Sequence, residues 1–133
     1  MERHALIREN RRLTQSEKSR LRQEQDDATK LLADQRSLVR NARELPEPLK
    51  AHYGQLLRTH VIMGAGNLKD EIENLSHMLV GGQVSADDVL ALHLDTLESL
   101  IRGLGNRSAR HIMTRADLLA LDLLSRLAES YRQ

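Results

Sequence analysis

Six histidines and two aspartates set in an apolar helix are the residues of this 133-residue chain whose types could carry chemistry. Their spacing limits what that chemistry can be. His52 and His60 lie eight residues apart, not at the i, i+4 spacing that turns two imidazoles toward one metal ion, and no His-Glu-x-x-His run occurs. The chain has no cysteine, which excludes thiolate zinc sites and a disulfide framework. Gly64-Ala-Gly66 follows a helical pattern and has too short a glycine spacing to cradle a phosphate, so it reads as a helix–helix turn. His77, in Asn74-Leu-Ser-His-Met-Leu-Val80, has the setting of a phosphoacceptor helix, but Met78 and Gly81-Gly82 stand where an acid and a basic-Pro pair belong. Asp117 and Asp122 interrupt the apolar surface of the last helical segment and read as polar breaks hydrogen-bonded to a partner. No strand-borne nucleophile elbow is present. With no nucleophile, base and water-excluding pocket combined, the expectation is binding without catalysis, with neither cofactor nor metal.

The elements that would position these residues are helical. Residues 2–44 contain neither Gly nor Pro and carry a heptad register. Ile7, Thr14, Leu21, Ala28, Gln35 and Ala42 fall on one seam position; Asn10, Glu17, Glu24, Leu31, Leu38 and Leu45 fall on the other. The seam is apolar from Leu21 onward and polar before it, which predicts a coiled-coil helix that pairs over 21–45 and frays over 1–20. Glu44-Leu-Pro-Glu-Pro48 breaks the pattern, because residues before Pro are pushed out of the α region. A boundary is therefore expected there, with an arm over 1–45 and a domain over 46–133.

Four helices are predicted beyond it. The first, over 48–62, presents Leu49, Tyr53, Leu56, Leu57 and Val61 on one face. The second, capped by Asn67 with Asp70 in its first turn, carries Leu68, Ile72, Leu75 and Leu79, and Gly81-Gly82 ends it. Ser85 caps the third, with Asp87 and Asp88 where the helix dipole favours acids and Leu90, Leu94, Leu97, Ile101 and Leu104 along its seam. Asn106 caps the fourth, over 107–132. The fold class is thus all-α: a four-helix bundle preceded by a long N-terminal coiled-coil helix, dimeric.

Dimerisation is read from the last helix. Ile112, Ala116, Leu119, Leu123 and Leu127 form one seam, and Met113, Leu121, Leu124, Ala128 and Tyr131 form a second beside it. A surface helix usually shows one apolar stripe somewhat over about 100° wide, so the second stripe calls for another helical layer, supplied here by a second copy. Leu119, Leu123, Leu124 and Leu127 are the expected dimer interface. No apolar run approaches the roughly 20 residues of a membrane span and no signal sequence opens the chain, so a cytoplasmic location is expected. The net charge of +1 is uneven, with 11 Lys/Arg against 8 Asp/Glu in residues 1–45. The interspersed acids favour a solvated helix face, with a basic coiled-coil nucleic-acid binder as an alternative.

Several spaced residues resemble a known family. Tyr53-x-x-Leu56-Leu57, then Val84-Ser-x-x-Asp88-Val89-x-x-Leu92-His93 and Leu97, and finally Ala128-x-x-Tyr131 are similar to the helical domain at the N-terminus of RsbU-type stress-response phosphatases. That domain is related in fold to the C-terminal domain of the clock protein KaiA. The resemblance covers residues 53–133, and residues 97–118 depart from the pattern and run a few residues longer. It implies a homodimeric module, a non-enzymatic signalling adaptor that binds a kinase-like switch protein or a clock-type ATPase tail in an apolar groove. By that analogy the groove involves the second and fourth helices of the domain, lined by Asp70, His77, Leu121 and Ser125. A histidine phosphotransfer and dimerisation fragment of a sensor kinase, acting through His77 or His93, is the other alternative.

Overall fold

The computed structural model describes residues 2–64, 68–105 and 107–132, with side chains from Gln15 onward. It is all-helical, with no strand among the described residues. The elements are α1 (Glu2–Arg36), α2 (Glu47–Met63), α3 (Lys69–Gly81), α4 (Ala86–Gly103) and α5 (Ala109–Arg132). Helices α2 to α5 fall within two residues of the predicted bounds. The expected caps Asn67 and Asn106 lie outside the described residues, as does Ala65-Gly66 of the glycine turn. Two caps do the work of opening helices in view. Ser85 and Asp88 form a reciprocal capping box on α4, and the Ser108 hydroxyl accepts from the His111 N–H at 3.3 Å on α5.

The long first helix departs from expectation. It stops at Arg36 instead of continuing to the prolines. The N–H of Ser37 is shared between the Ala33 and Asp34 carbonyls, and Leu38 and Val39 donate three residues back, tightening the chain into a turn. Within the single chain the predicted seam is only partly buried, at Ala28 and Leu45. Leu31 and Leu38, both on the predicted seam, are 51% and 63% exposed, while Leu32, off that seam, is buried with Ala28. The reason lies in what α1 packs against. It lies along α4 and α5 of its own chain, so its buried face follows the helical period over a two-helix groove and not the heptad stripe of a matched pair.

Side-chain bonds fix its direction. The Gln25 amide reaches the Ile101 carbonyl, the Arg36 guanidinium binds Asp95 at 2.7 Å and Glu98 at 2.6 Å, and the Arg43 N–H donates to Asp88 at 2.8 Å. Contacts thus run backward along α4 as α1 runs forward, making the two antiparallel. The core takes in Ala28, Leu32 and Leu45 together with residues of α2 to α5.

Helix α5 touches all four others. Its first seam, Ile112, Ala116, Leu119, Leu123 and Leu127, is at most 2% exposed. Its second seam is divided. Met113 is buried and shares a cleft with Ala28 and Leu31 of α1, Leu124 is half-buried, and Leu121 and Tyr131 remain exposed. Part of the layer assigned to a second copy is therefore supplied by α1 of the same chain.

Candidate functional site

Three helices bring one polar side chain each to a common point in this core. Tyr53 comes from α2, His93 from α4 and Asp117 from α5. The Tyr53 Oη lies 2.6 Å from His93 Nδ1, and His93 Nε2 lies 2.9 Å from Asp117 Oδ1. The rings of Tyr53 and His93 meet edge to face, with centroids 6.1 Å apart. Tyr53 is fully buried and His93 is 2% exposed, whereas 38% of the Asp117 side chain is open to solvent.

The protons of this relay can be assigned. Burial, and then the Asp117 charge, push the Tyr53 phenol well above its ordinary pKa, so it keeps its proton and is the donor. Its O–H donates to Nδ1, which leaves the other ring proton on Nε2, donating to the Asp117 carboxylate. The buried polar atoms of Tyr53 and His93 all have a partner, as buried groups require. The array orders three helices and points one carboxylate outward. The phenol lies at its buried end, away from solvent.

Asp117 opens into a cleft of about 270 Å³ between α1 and α5. Ala28, Leu31 and Met113 form its apolar floor; Glu24, Asp27, Arg110, Thr114 and Asp117 form its rim. Glu24 accepts a hydrogen bond from the Ser108 hydroxyl, and Asp27 accepts one from the Gln23 amide at 3.1 Å.

A second carboxylate is organised at the other end of α4. Asp88 is 4% exposed and accepts from the backbone of Arg43 and of Ser85 while facing the Arg43 guanidinium at 3.3 Å. Burial alone would raise its pKa. The two backbone N–H groups, the bond with the Ser85 side chain and the Arg43 charge outweigh that and hold it below the usual carboxylate range.

The predicted site residues are distributed as follows. Asp70 and His77 are exposed on α3, and Leu121 and Ser125 are exposed on α5, helices that pack against each other. No hydrogen bond or ion pair joins the four among the described residues. Leu118, which the sequence reading passed over, stands one turn from Leu121 and is 60% exposed, against 63% for Leu121 itself. Of the expected interface residues, Leu119, Leu123 and Leu127 are buried in the chain's own core and only Leu124 is half-open. Asp117 was read as a polar break with a partner, and the partner is His93 of the same chain. Asp122 instead pairs on the surface with Arg126 at 3.0 Å.

The remaining histidines among the described side chains are scattered. His52 and His111 are exposed, and His60 is buried with its Nδ1 unpartnered. No group of three or more metal-ligating side chains is gathered among the described residues. Among the described residues no helix is long and apolar enough to cross a membrane. Comparison with protein-family models, curated proteins and solved structures finds no match.

Proposed function

We propose that this protein is a non-enzymatic signalling adaptor, a homodimeric helical docking module similar to the RsbU and KaiA domains. In this reading α2 to α5 are its four-helix unit and α1 is its arm. A segment of a kinase-like switch protein or a clock-type ATPase tail docks along α5 and the neighbouring face of α3. The observation that carries the reading is the pair Leu118 and Leu121, both more than half exposed on the helix that organises the whole core. Two large aliphatic side chains held rigidly in solvent one turn apart are the anchors that helix-in-groove recognition uses. Ser125, one turn beyond Leu121, and the exposed Asp70 and His77 on α3, a helix that packs against α5, are the polar residues this reading assigns to the same groove.

The phosphotransfer alternative is weakened at His93. Both its ring nitrogens are engaged and it is almost fully buried, so a kinase could not reach it without opening the core. His77 is accessible, and lacks a neighbouring acid-base motif.

Affinity capture tests the proposal, with the wild-type chain and Leu121→Arg run side by side and bound proteins identified by mass spectrometry. The expected result is a switch kinase-like protein or a signalling ATPase held by the wild type and lost with Leu121→Arg or Ser125→Arg. Both variants should keep the wild-type circular dichroism. Capture that is indifferent to both substitutions would overturn the reading.

A further inference from the structure

The outward stripe of α5 reads alike in both chain directions. Opposite the buried seam, His111, Thr114, Leu118, Leu121, Ser125 and Ala128 recur at alternating spacings of three and four residues, and all six are exposed. That alternation is the seam a helix presents to a partner helix, and the rest of the described chain leaves it uncovered. Leu118 and Leu121 stand at its centre, 60% and 63% exposed. A hydroxyl residue lies one turn outside each, Thr114 before Leu118 and Ser125 after Leu121. An unrelated helix would need the two leucines alone. The palindrome around them fits a copy of the same helix running the other way.

We infer that a second copy of the chain covers this stripe, the two α5 helices packing antiparallel about a two-fold axis that passes between Leu118 and Leu121. In the register that sets Leu118 against Leu121 of the second copy, Thr114 meets the partner's Ser125 and His111 meets the partner's Ala128. All six positions lie on one face of the helix, so every layer points at the axis. The two-fold repeats each layer, which gathers four leucines at the centre and brackets them with paired hydroxyls.

Charge agrees with the same register. Arg115 and Asp122 lie one heptad apart on one flank of the stripe, and across the axis each falls beside the other's copy. Arg115 gives one N–H to the Val61 carbonyl at 2.7 Å and keeps further donors for that carboxylate. Further out, Arg107 falls opposite Arg132 of the second copy, and these like charges confine the pairing to the centre of α5. The inference rests on the proposed function in taking Leu118 and Leu121 as a binding face, and it names a second copy as what holds them when no other protein is docked. The same two leucines cannot serve both at once.

The test is sedimentation velocity on the full chain at micromolar concentration, joined to disulfide mapping, for which a chain without cysteine gives a clean background. The wild type should dimerise, and Leu118→Lys or Leu121→Arg should weaken association about tenfold or more while keeping the wild-type circular dichroism. Thr114→Cys with Ser125→Cys in one chain should give a disulfide-linked dimer on mild oxidation. Ser125→Cys alone should not, because the register leaves its two copies about 16 Å apart along the axis, beyond the roughly 7 Å between Cα atoms that a disulfide spans. If either leucine variant fails to fold, the cysteine variants carry the test. A dimer indifferent to both leucine substitutions, a double-cysteine chain that stays unlinked, or a Ser125→Cys chain that links as readily as the double variant overturns the inference and leaves docking of another protein standing. A wild-type monomer overturns it together with the dimeric part of the proposed function, while capture through Leu121 is decided separately.

Discussion

At the scale of single residues, the relay shows how a buried polar group is made tolerable by placing each atom opposite a partner. Removing one end exposes the cost. Tyr53→Phe keeps the ring and leaves His93 Nδ1 buried without a donor, so it should lower stability by about 1–3 kcal/mol in urea unfolding. Asp117→Asn should lower it less, because the amide oxygen still accepts from Nε2 and the side chain is partly solvated. A Tyr53→Phe chain as stable as the wild type would mean the relay does not hold His93. Gln83 makes the opposite case. Its φ of 55° puts a residue with a Cβ in the left-handed region just after α3, a place expected for Gly81-Gly82. Gln83→Gly should therefore raise stability by up to about 1 kcal/mol, read by the same unfolding curves. His93 and Asp117 both stand out in the sequence, as a motif match and as a polar break. Their pairing does not, since it joins residues 24 positions apart and depends on how α4 and α5 are rotated toward each other.

At the scale of elements, helix starts were more legible than the end of α1. Ser85 with Asp88, and Pro46 to Pro48, are local signals, and the helices they announce are in place. The stop at Arg36 has no local signal. It is set by distant charges, Asp95 and Glu98, that hold the last turn of α1, and by Leu45, which must return to the core. The strap formed by residues 37–45 also meets the cap of α4 at Asp88. Because the folded pKa of Asp88 lies below its unfolded value of about 3.9, its contribution to stability is fully present above that pH. It is lost as pH falls through the folded pKa. The stability gap between wild type and Asp88→Asn should thus be constant near neutrality and shrink progressively below about pH 4 in acid titrations followed by circular dichroism. A gap that widened on acidification would show that another group, not Asp88, carries the acid sensitivity of this junction.

At the scale of the whole molecule, the apolar excess of α5 was plain in the sequence and its cover was not. Composition counts side chains that need burial without saying which helix buries them. Leu31 and Leu32 illustrate the difficulty, being adjacent and about 100° apart on the helix; either could face inward, and the α4–α5 groove selects Leu32. The consequence is an uneven distribution of stability. Helix α5 buries eight side chains and touches every other helix, whereas Ala28 and Leu32 are the fully buried apolar residues of α1 among those described. The Arg36 ion pairs that also hold α1 are part-exposed and add roughly 1 kcal/mol or less. Opening of α1 should accordingly precede global unfolding, as a separate cooperative step. Leu119→Ala should cost about 2–5 kcal/mol and raise amide exchange throughout α2 to α5. Leu32→Ala, equally a leucine truncated in a buried site, should instead raise exchange chiefly at residues 21–36 and leave the midpoint of global unfolding nearly unchanged. If both truncations accelerate exchange equally in every helix, α1 belongs to one cooperative unit with α5, and its opening cannot precede that of the core.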